Sequence, residues 1–216
     1  DGQQPVGTAT GTLSLAAMTV VLSTETETHD AVVRPDAAAA TSAPAASGRL
    51  QTAARAEAET TYTCTVTDAG GAAVAQFPYD RRPETLTLPA GAYTLTVESA
   101  EPKAAVWDDP VYAARQEVLI DRNATVEVGE VLCTPAAVGV ALVFDPAFGA
   151  QSTATVDCGG EALAFTTSES RTGWFAVGTA RTLTLTVEGT AGEGTPVSFT
   201  RRYTDVQAGQ LYRFTV

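Results

Sequence analysis

The feature that most constrains this chain is the alternation of apolar and polar residues with a period of two. In "TYTCTVT" (61–67), Tyr62, Cys64 and Val66 alternate with threonines, and "TLTLTVEG" (182–189) repeats the pattern. An α-helix would need apolar residues every three or four positions, so this period predicts half-buried β-strands. The strands are short and Gly-rich turns separate them, which is typical of a β-sandwich.

Turn signals follow several of these strands. "DAGG" (68–71) predicts a hairpin between the strands on either side of it. "ETLTLPAGAYTLTVES" (84–99) predicts a second hairpin, with Gly91 supplying a positive φ at the turn. "RQEVLIDRNATVEVGEVLC" (115–133) predicts a third, turning at Asp-Arg-Asn, and a related turn in "VQAGQLYRFTV" (206–216) precedes the last strand.

The strand count divides the chain into two halves. About seven strands precede Cys133 and about seven follow Pro135, which is the number that a small sandwich needs. The predicted fold is therefore all-β, with two tandem antiparallel β-sandwich domains at 1–134 and 135–216. A join near 134–136 would be short, so the two domains would have a fixed relation.

One stretch, "AVVRPDAAAATSAPAASGRLQTAARAEAE" (31–59), breaks the pattern. Its alanines favour helix locally, but prolines and Gly48 interrupt it and large apolar residues are scarce. Such a segment buries little surface, so we expect a long flexible or disordered insert in the first domain. A short helix near Leu50–Glu59 is the alternative.

Charge and composition exclude several functions. The 25 acidic and 13 basic residues give a net charge of -12, which repels phosphate backbones and anionic lipid, so no nucleic-acid partner is expected. His29 is the only histidine and Lys103 the only lysine, so Ser-His-Asp, Cys-His and Ser-Lys sites have few residues to draw on. We expect no enzyme, although a pair of carboxylates for glycoside hydrolysis stays open.

Three cysteines, Cys64, Cys133 and Cys158, bear on redox chemistry and metal binding. Their spacing fits no metal knuckle, and their number is odd. Cys64 and Cys158 alternate with apolar neighbours, so both are predicted to be buried thiols in different domains. A disulfide involving Cys133 is the alternative. No cofactor or metal site is predicted.

The most site-like cluster is "WDDP" (107–110), where Trp107 stands beside Asp108 and Asp109 in a loop. Together with Trp174, these residues are the candidate ligand-binding set, because flat aromatic rings near polar groups bind sugars. Calcium would be the ion that such oxygen ligands take, if they took one. The alternative, which we favour, is a turn with solvated acids and tryptophans that pack against the core.

Several stretches in one order carry a resemblance over nearly the whole chain. They are "GTLSL", "TYTCTVTDAGG", "LPAGAYTLTVES", "WDDPVYAARQEVLI", "NATVEVGEVLCTPAAVGVALVFD", "GWF" and "VQAGQLYRFTV". In this order the chain resembles a domain-of-unknown-function family of Bacteroidetes surface lipoproteins that is fimbrillin-like in style. "LPAGAYTLTV" alone is similar to transthyretin-like sandwich domains, within the broader Ig-like class. The resemblance implies secretion and display at the outer-membrane surface by a lipidated cysteine preceding residue 1, and it brings no catalytic residues.

The functional hypotheses follow from this resemblance. The preferred one is a non-enzymatic cell-surface lipoprotein for adhesion or fimbria-like assembly, with a protein or glycan partner. A carbohydrate-binding lipoprotein for glycan capture is the alternative, and an enzyme with paired carboxylates is the third.

Assembly would use the first strand. Fimbrillin-like proteins are thought to lose a first strand by cleavage after an arginine and to accept a donor strand from the next subunit. By analogy, cleavage at Arg34, Arg49 or Arg55 would free strand 12–23, which is expected at a sandwich edge, and open a groove. The alternative is that this segment is an ordinary variable surface loop.

Overall fold

The computed structural model describes residues 9–36, 40–50, 56–57, 62–100, 104–177, 179 and 181–216. Within these ranges the chain is built from strands, and its helical structure is one 3-10 turn at Tyr79–Arg81. The all-β prediction is confirmed. Among the described residues, no helix has the length and apolar character needed to cross a membrane.

The strands of the described residues are short and follow each other closely. In chain order they are β1 (Thr10–Ser14), β2 (Thr19–Leu22), β3 (Thr26–Val32), β4 (Ala40–Ser42), β5 (Gly48–Leu50), β6 (Ala56–Glu57), β7 (Thr63–Asp68), β8 (Ala73–Pro78), β9 (Thr85–Pro89), β10 (Gly91–Glu98), β11 (Ala105–Trp107), β12 (Tyr112–Ile120), β13 (Thr125–Glu127), β14 (Glu130–Pro135), β15 (Ala137–Val143), β16 (Thr153–Cys158), β17 (Glu161–Thr166), β18 (Gly173–Ala176), β19 (Thr182–Ala191), β20 (Thr195–Thr204) and β21 (Gln210–Thr215).

These strands form two compact units that are not contiguous in sequence. Unit 1 comprises Asp1–Ser23, Arg55–Glu101 and Tyr112–Thr134, and unit 2 comprises Thr24–Ala54, Pro102–Val111 and Pro135–Val216. The expected division at 1–134 and 135–216 differs from this, because β3, β4 and β11 pair with strands from the C-terminal half, and β5 pairs with β3. Backbone hydrogen bonds, which join strands regardless of their distance in sequence, decide the division.

Unit 1 holds a seven-stranded sheet in the order β6-β2-β14-β12-β10-β7-β8 and a three-stranded sheet in the order β13-β1-β9. Alternate residues of these strands are buried in a common core, as the period of two predicts. The fully buried members include Leu13, Leu15, Met18, Cys64, Val66, Leu95, Val97, Val128 and Cys133.

One of the three predicted hairpins is wrong and another holds only in part, because the chain changes sheet at the turn. Strand β9 pairs with β1, whereas β10 lies between β12 and β7 in the other sheet. Gly91 has no positive φ, and the hydroxyl of Tyr93 donates a 2.8 Å hydrogen bond to the Pro89 carbonyl across the turn. Strand β13 likewise leaves β12 to pair with β1, but the next strand of the predicted hairpin, β14, lies beside β12. The β7–β8 hairpin at Asp68 is confirmed.

Unit 2 holds a six-stranded sheet in the order β11-β18-β15-β21-β3-β5 and a five-stranded sheet in the order β17-β16-β19-β20-β4. Its core is rich in aromatic and branched side chains, including Val138, Val140, Phe165, Phe175, Leu183, Leu185, Val187, Tyr212 and Phe214. Strand β21 is parallel to both β15 and β3, and β4 is parallel to β20. The sheets are therefore mixed and not purely antiparallel, since long connections allow parallel neighbours.

The alanine-rich segment 31–59 contributes strands to both units. Strands β4 and β5 take the edges of the two unit 2 sheets, and β6 takes an edge in unit 1. The prediction of a flexible insert is therefore wrong for these strands, because backbone hydrogen bonds at an edge require no large side chain. Residues 37–39, 51–55 and 58–61 lie outside the described residues, and Ala56–Glu57 in the predicted helix is a strand.

The three cysteines generate a prediction. None forms a disulfide and all are buried, with Cys64 and Cys133 in the core of unit 1 and Cys158 in that of unit 2. Burial raises the pKa of Cys64 to about 11 and that of Cys133 to about 12, so little thiolate forms at pH 8. Ellman's reagent should count three thiols in denaturant without reductant, and react far more slowly with the folded protein. A count of one would mean a disulfide and contradict this structure.

Candidate functional site

The two tryptophans of the predicted site lie on neighbouring strands but on opposite faces of one sheet. Strand β11 pairs with β18 so that Trp107 opposes Gly173 and Val106 opposes Trp174. Side chains opposite each other share a face and successive residues alternate, so Trp107 and Trp174 point in opposite directions. They cannot form a single stacking platform for a sugar.

Trp107 belongs to a small closed cluster of side chains. Its ring packs edge-to-face on Phe165 with centroids 4.8 Å apart, and the guanidinium carbon of Arg171 lies 4.5 Å from the Trp107 ring centroid. Arg171 in turn donates from Nε and Nη2 to Glu169, at 2.9 and 2.8 Å. The indole face that a sugar would use is therefore covered by Arg171.

The Glu169 carboxylate is strongly stabilised by this arrangement. Its pKa falls to about 2, chiefly because the Arg171 side chain donates to it and also because the backbone N–H groups of Arg171 and Ser170 do so. The cluster thus satisfies its own charges, and it stays paired over the whole physiological pH range.

Asp108 and Asp109 form the turn after β11. Asp108 has a φ of 58°, and its Oδ1 accepts a 2.8 Å hydrogen bond from the backbone N–H of Thr172. The Asp108 N–H returns a 2.8 Å bond to the Thr172 carbonyl, and the Asp109 N–H donates to the Trp107 carbonyl at 2.8 Å. Asp109 is exposed. The described residues contain no group of three or more His, Cys, Asp or Glu that could hold a metal ion.

Trp174 fills a space that Gly139 leaves open. The indole is only 8% exposed, and a Cβ added at Gly139 would lie 2.9 Å from Trp174 Cζ3 and 2.9 Å from Leu211 Cδ1. Close packing therefore accounts for Trp174. The ligand-binding role of Trp107, Asp108, Asp109 and Trp174 stays a prediction, and the contacts around them favour packing and turn formation.

The single histidine has a structural position that the sequence did not reveal. His29 is 4% exposed and stacks on Tyr212 with ring centroids 4.8 Å apart. Its Nδ1 lies 2.7 Å from the Pro44 carbonyl, and its Nε2 lies 3.0 Å from Glu27 Oε1, though at an angle unsuited to a hydrogen bond. His29 thereby ties the segment between β4 and β5 to the sheet.

A buried arginine holds the end of β3 in the same unit. Arg201 is 4% exposed, and its guanidinium donates to the carbonyls of Thr200 and Arg34 and lies over the Phe199 ring. The Arg34 carbonyl belongs to the Arg34–Pro35 bond, and trypsin-type proteases cleave poorly before proline. Arg34 is thus a poor candidate for cleavage, a conclusion that Pro35 already signalled in the sequence.

The segment 12–23, expected to form one strand at a sandwich edge, is divided into β1 and β2, which lie in different sheets, and β1 occupies a central place. Strand β1 lies between β9, which is antiparallel, and β13, which is parallel. Leu13 and Leu15 are fully buried. Met18, just before β2, is also fully buried, and Val20 within β2 is almost so. Removing β1 would leave a groove one strand wide, bordered by the backbone groups of β9 and β13.

Substitution of Asp108 tests the structural interpretation of the 107–110 loop. Alanine cannot accept the Thr172 hydrogen bond and tolerates a positive φ poorly, so Asp108→Ala should lower the free energy of unfolding by about 1–2 kcal/mol. Asp108→Asn keeps an acceptor and tolerates this backbone conformation, so it should stay within about 0.5 kcal/mol of the wild type. Urea unfolding measures both. Equal stability of the alanine variant would refute this account.

Comparison with known proteins places the chain in a family. Among solved structures, a fimbrial assembly protein from Parabacteroides distasonis is 13% identical, with 92% of this chain and 89% of that chain covered and a TM-score of 0.46. A provisionally assigned cell adhesion protein from Bacteroides fragilis is 10% identical, with 93% and 91% covered and a TM-score of 0.37. These values are too low to carry an argument about function.

No curated protein matches the chain. A family model described as "Domain of unknown function (DUF4493)" matches residues 10–216, so the predicted resemblance to a domain-of-unknown-function family is confirmed, and the chain belongs to the DUF4493 family.

Proposed function

We propose that this protein is a non-enzymatic cell-surface lipoprotein that acts in adhesion or fimbria-like assembly. The observation that carries the proposal is the central place of β1 between β9 and β13. A strand in this position can be replaced by a strand of another subunit, which would re-form the backbone hydrogen bonds to β9 and β13 and fill the space left by Leu13 and Leu15. The resemblance to fimbrillin-like surface proteins supports a lipid anchor at the outer membrane and a protein or glycan partner.

The connection that follows β2 supports replacement as well. After Ser23 the chain enters unit 2, where β3 lies between β21 and β5. A cut beyond β3 would therefore separate a fragment that occupies central positions in both units. Loss of the fragment would leave one groove between β9 and β13, a second between β6 and β14 where β2 had been, and an open edge on β21 in unit 2.

Arg49 is the arginine of the described residues 34–50 best suited to cleavage. Its side chain is 73% exposed, it lies on the edge strand β5, and its only described ion pair is a 2.8 Å contact from Nη1 to Glu25 Oε1. An exposed pair of this kind holds a side chain weakly. Arg34 precedes a proline, and Arg55 lies outside the described residues.

Limited trypsin digestion followed by size-exclusion chromatography tests the proposal. Cleavage should occur at Arg49, and the nicked protein should release its N-terminal fragment under mild denaturant and form oligomers when the denaturant is removed and the protein is concentrated. Arg49→Gln should abolish this cut and the oligomers, whereas Arg122→Gln, a control at an exposed turn, should preserve both. A synthetic peptide of residues 10–22 should compete for the groove and keep the nicked protein monomeric.

The opposite result is equally clear. If the nicked protein keeps its N-terminal fragment and stays monomeric at high concentration, strand replacement is refuted. Adhesion without polymerisation would then be the surviving part of the proposal.

A further inference from the structure

The outward face of the seven-stranded sheet in unit 1 carries a shallow basin with a volume of about 670 Å³. Its floor is formed by β7, β10 and β12, which are adjacent in this sheet. The outward side chains that line it form two cross-strand rows, with Thr96 and Arg115 in one and Thr67, Thr94 and Glu117 in the other. The volume falls in the range of small-molecule sites.

The alternation of these strands fixes which groups face the basin. Leu95 and Val97 of β10 are fully buried in the core, so Thr94 and Thr96 between and beside them must point outward. Two residues beyond Glu117 on the same face, Leu119 is 63% exposed. The basin therefore combines a row of hydroxyl and methyl groups with one exposed apolar side chain at its end.

One wall of the basin is the turn between β7 and β8, and its conformation is fixed. Asp68 Oδ1 accepts hydrogen bonds of 2.9 Å from the N–H groups of both Gly70 and Ala72. The Gly71 N–H donates to the Asp68 carbonyl at 2.9 Å, and its φ of 84° is one that glycine adopts freely. A rigid wall lowers the entropic cost of binding.

Two charged groups of the floor are available to a ligand. Arg115 and Glu117 are exposed and take part in no hydrogen bond or ion pair among the described residues. They stand two residues apart on one face of β12, with the threonines of β10 beside them. The basin thus offers a hydrogen-bond donor in Arg115, an acceptor in Glu117, and threonine hydroxyls that can donate and accept. The charges of Arg115 and Glu117 cancel on the floor.

We propose that this basin binds a segment of a neutral glycan. A polyhydroxylated chain needs donors and acceptors in alternation, and its C–H faces would pack on the threonine methyls and Leu119. The net charge of -12 disfavours an anionic ligand. An extended peptide is also disfavoured, because strands bind peptides at a sheet edge, whereas the backbone groups of this floor are already paired within the sheet.

This inference is independent of strand replacement. The basin lies on the outward face of β7, β10 and β12, and the replacement proposal concerns β1, β3 and Arg49. Variants of one do not alter the other, so the two proposals fail separately.

The experiment is a calorimetric titration of the intact protein with four hexasaccharides, those of β-1,4-glucan, α-1,4-glucan, β-1,4-xylan and β-1,4-mannan. At least one should bind at millimolar concentration or below. Arg115→Gln and Glu117→Gln should each weaken binding roughly tenfold, the effect of losing one charge-assisted hydrogen bond. Thr94→Val should weaken it less, because it removes a neutral group.

Control variants come from the five-stranded sheet of unit 2, whose outward face also carries threonines. There Thr186 opposes Thr200 and Thr184 opposes Arg202. Thr186→Val and Arg202→Gln should leave binding unchanged, and circular dichroism should show that every variant is folded. Absence of binding by all four hexasaccharides overturns the proposal, as does binding that the basin variants leave intact. Binding of an unstructured peptide in their place would assign the basin to a protein partner and also overturn it.

Discussion

Backbone hydrogen bonding between strands that are far apart in sequence is the constraint on which this structure depends. Strand β3 pairs with β21, which is separated from it by most of the sequence, and β1 pairs with both β9 and β13. Each unit is completed by a piece of the N-terminal segment, unit 1 by β1 and β2 and unit 2 by β3, β4 and β5. Such pairing carries a high loop-closure cost before any contact forms, so the buried residues of these strands must offset it.

The period of two allowed the faces of the strands to be predicted, but not their neighbours. It assigned Val66 and Leu95 correctly to the interior, because alternation is a property of a single strand. It failed at the Pro89–Gly91 turn, where two well-patterned strands were expected to pair and instead enter different sheets. Alternation says which side of a strand is apolar and nothing about which strand lies beside it. The same limit explains why the sequence predicted two contiguous domains, whereas each unit of the structure combines three separate segments.

The candidate site was predictable in residue type and not in arrangement. "WDDP" correctly indicated a turn, yet whether Trp107 and Trp174 share a face depends on the register of β11 against β18. His29 had no pattern around it that signalled burial, whereas Arg201 alternates with Phe199 and Tyr203 on one face of β20. Only their contacts show that both residues hold the segment after β3 in place. The alternating threonines of β7 and β10 are visible in the sequence. The cross-strand rows of the basin, however, depend on the register in which β7, β10 and β12 pair, and the sequence does not give that register.

The charge of the chain restricts how copies of it would meet. At a net charge of -12, two copies repel each other, and a contact between them must gain its free energy from uncharged groups. The segment 11–23, "GTLSLAAMTVVLS", contains no charged residue, and it carries Leu13, Leu15 and Met18 into the core. A strand of this composition offers backbone hydrogen bonds and apolar burial, neither of which the surface charge weakens. The glycan basin works by a different principle, since its side-chain donors and acceptors engage a neutral ligand that the same charge does not repel.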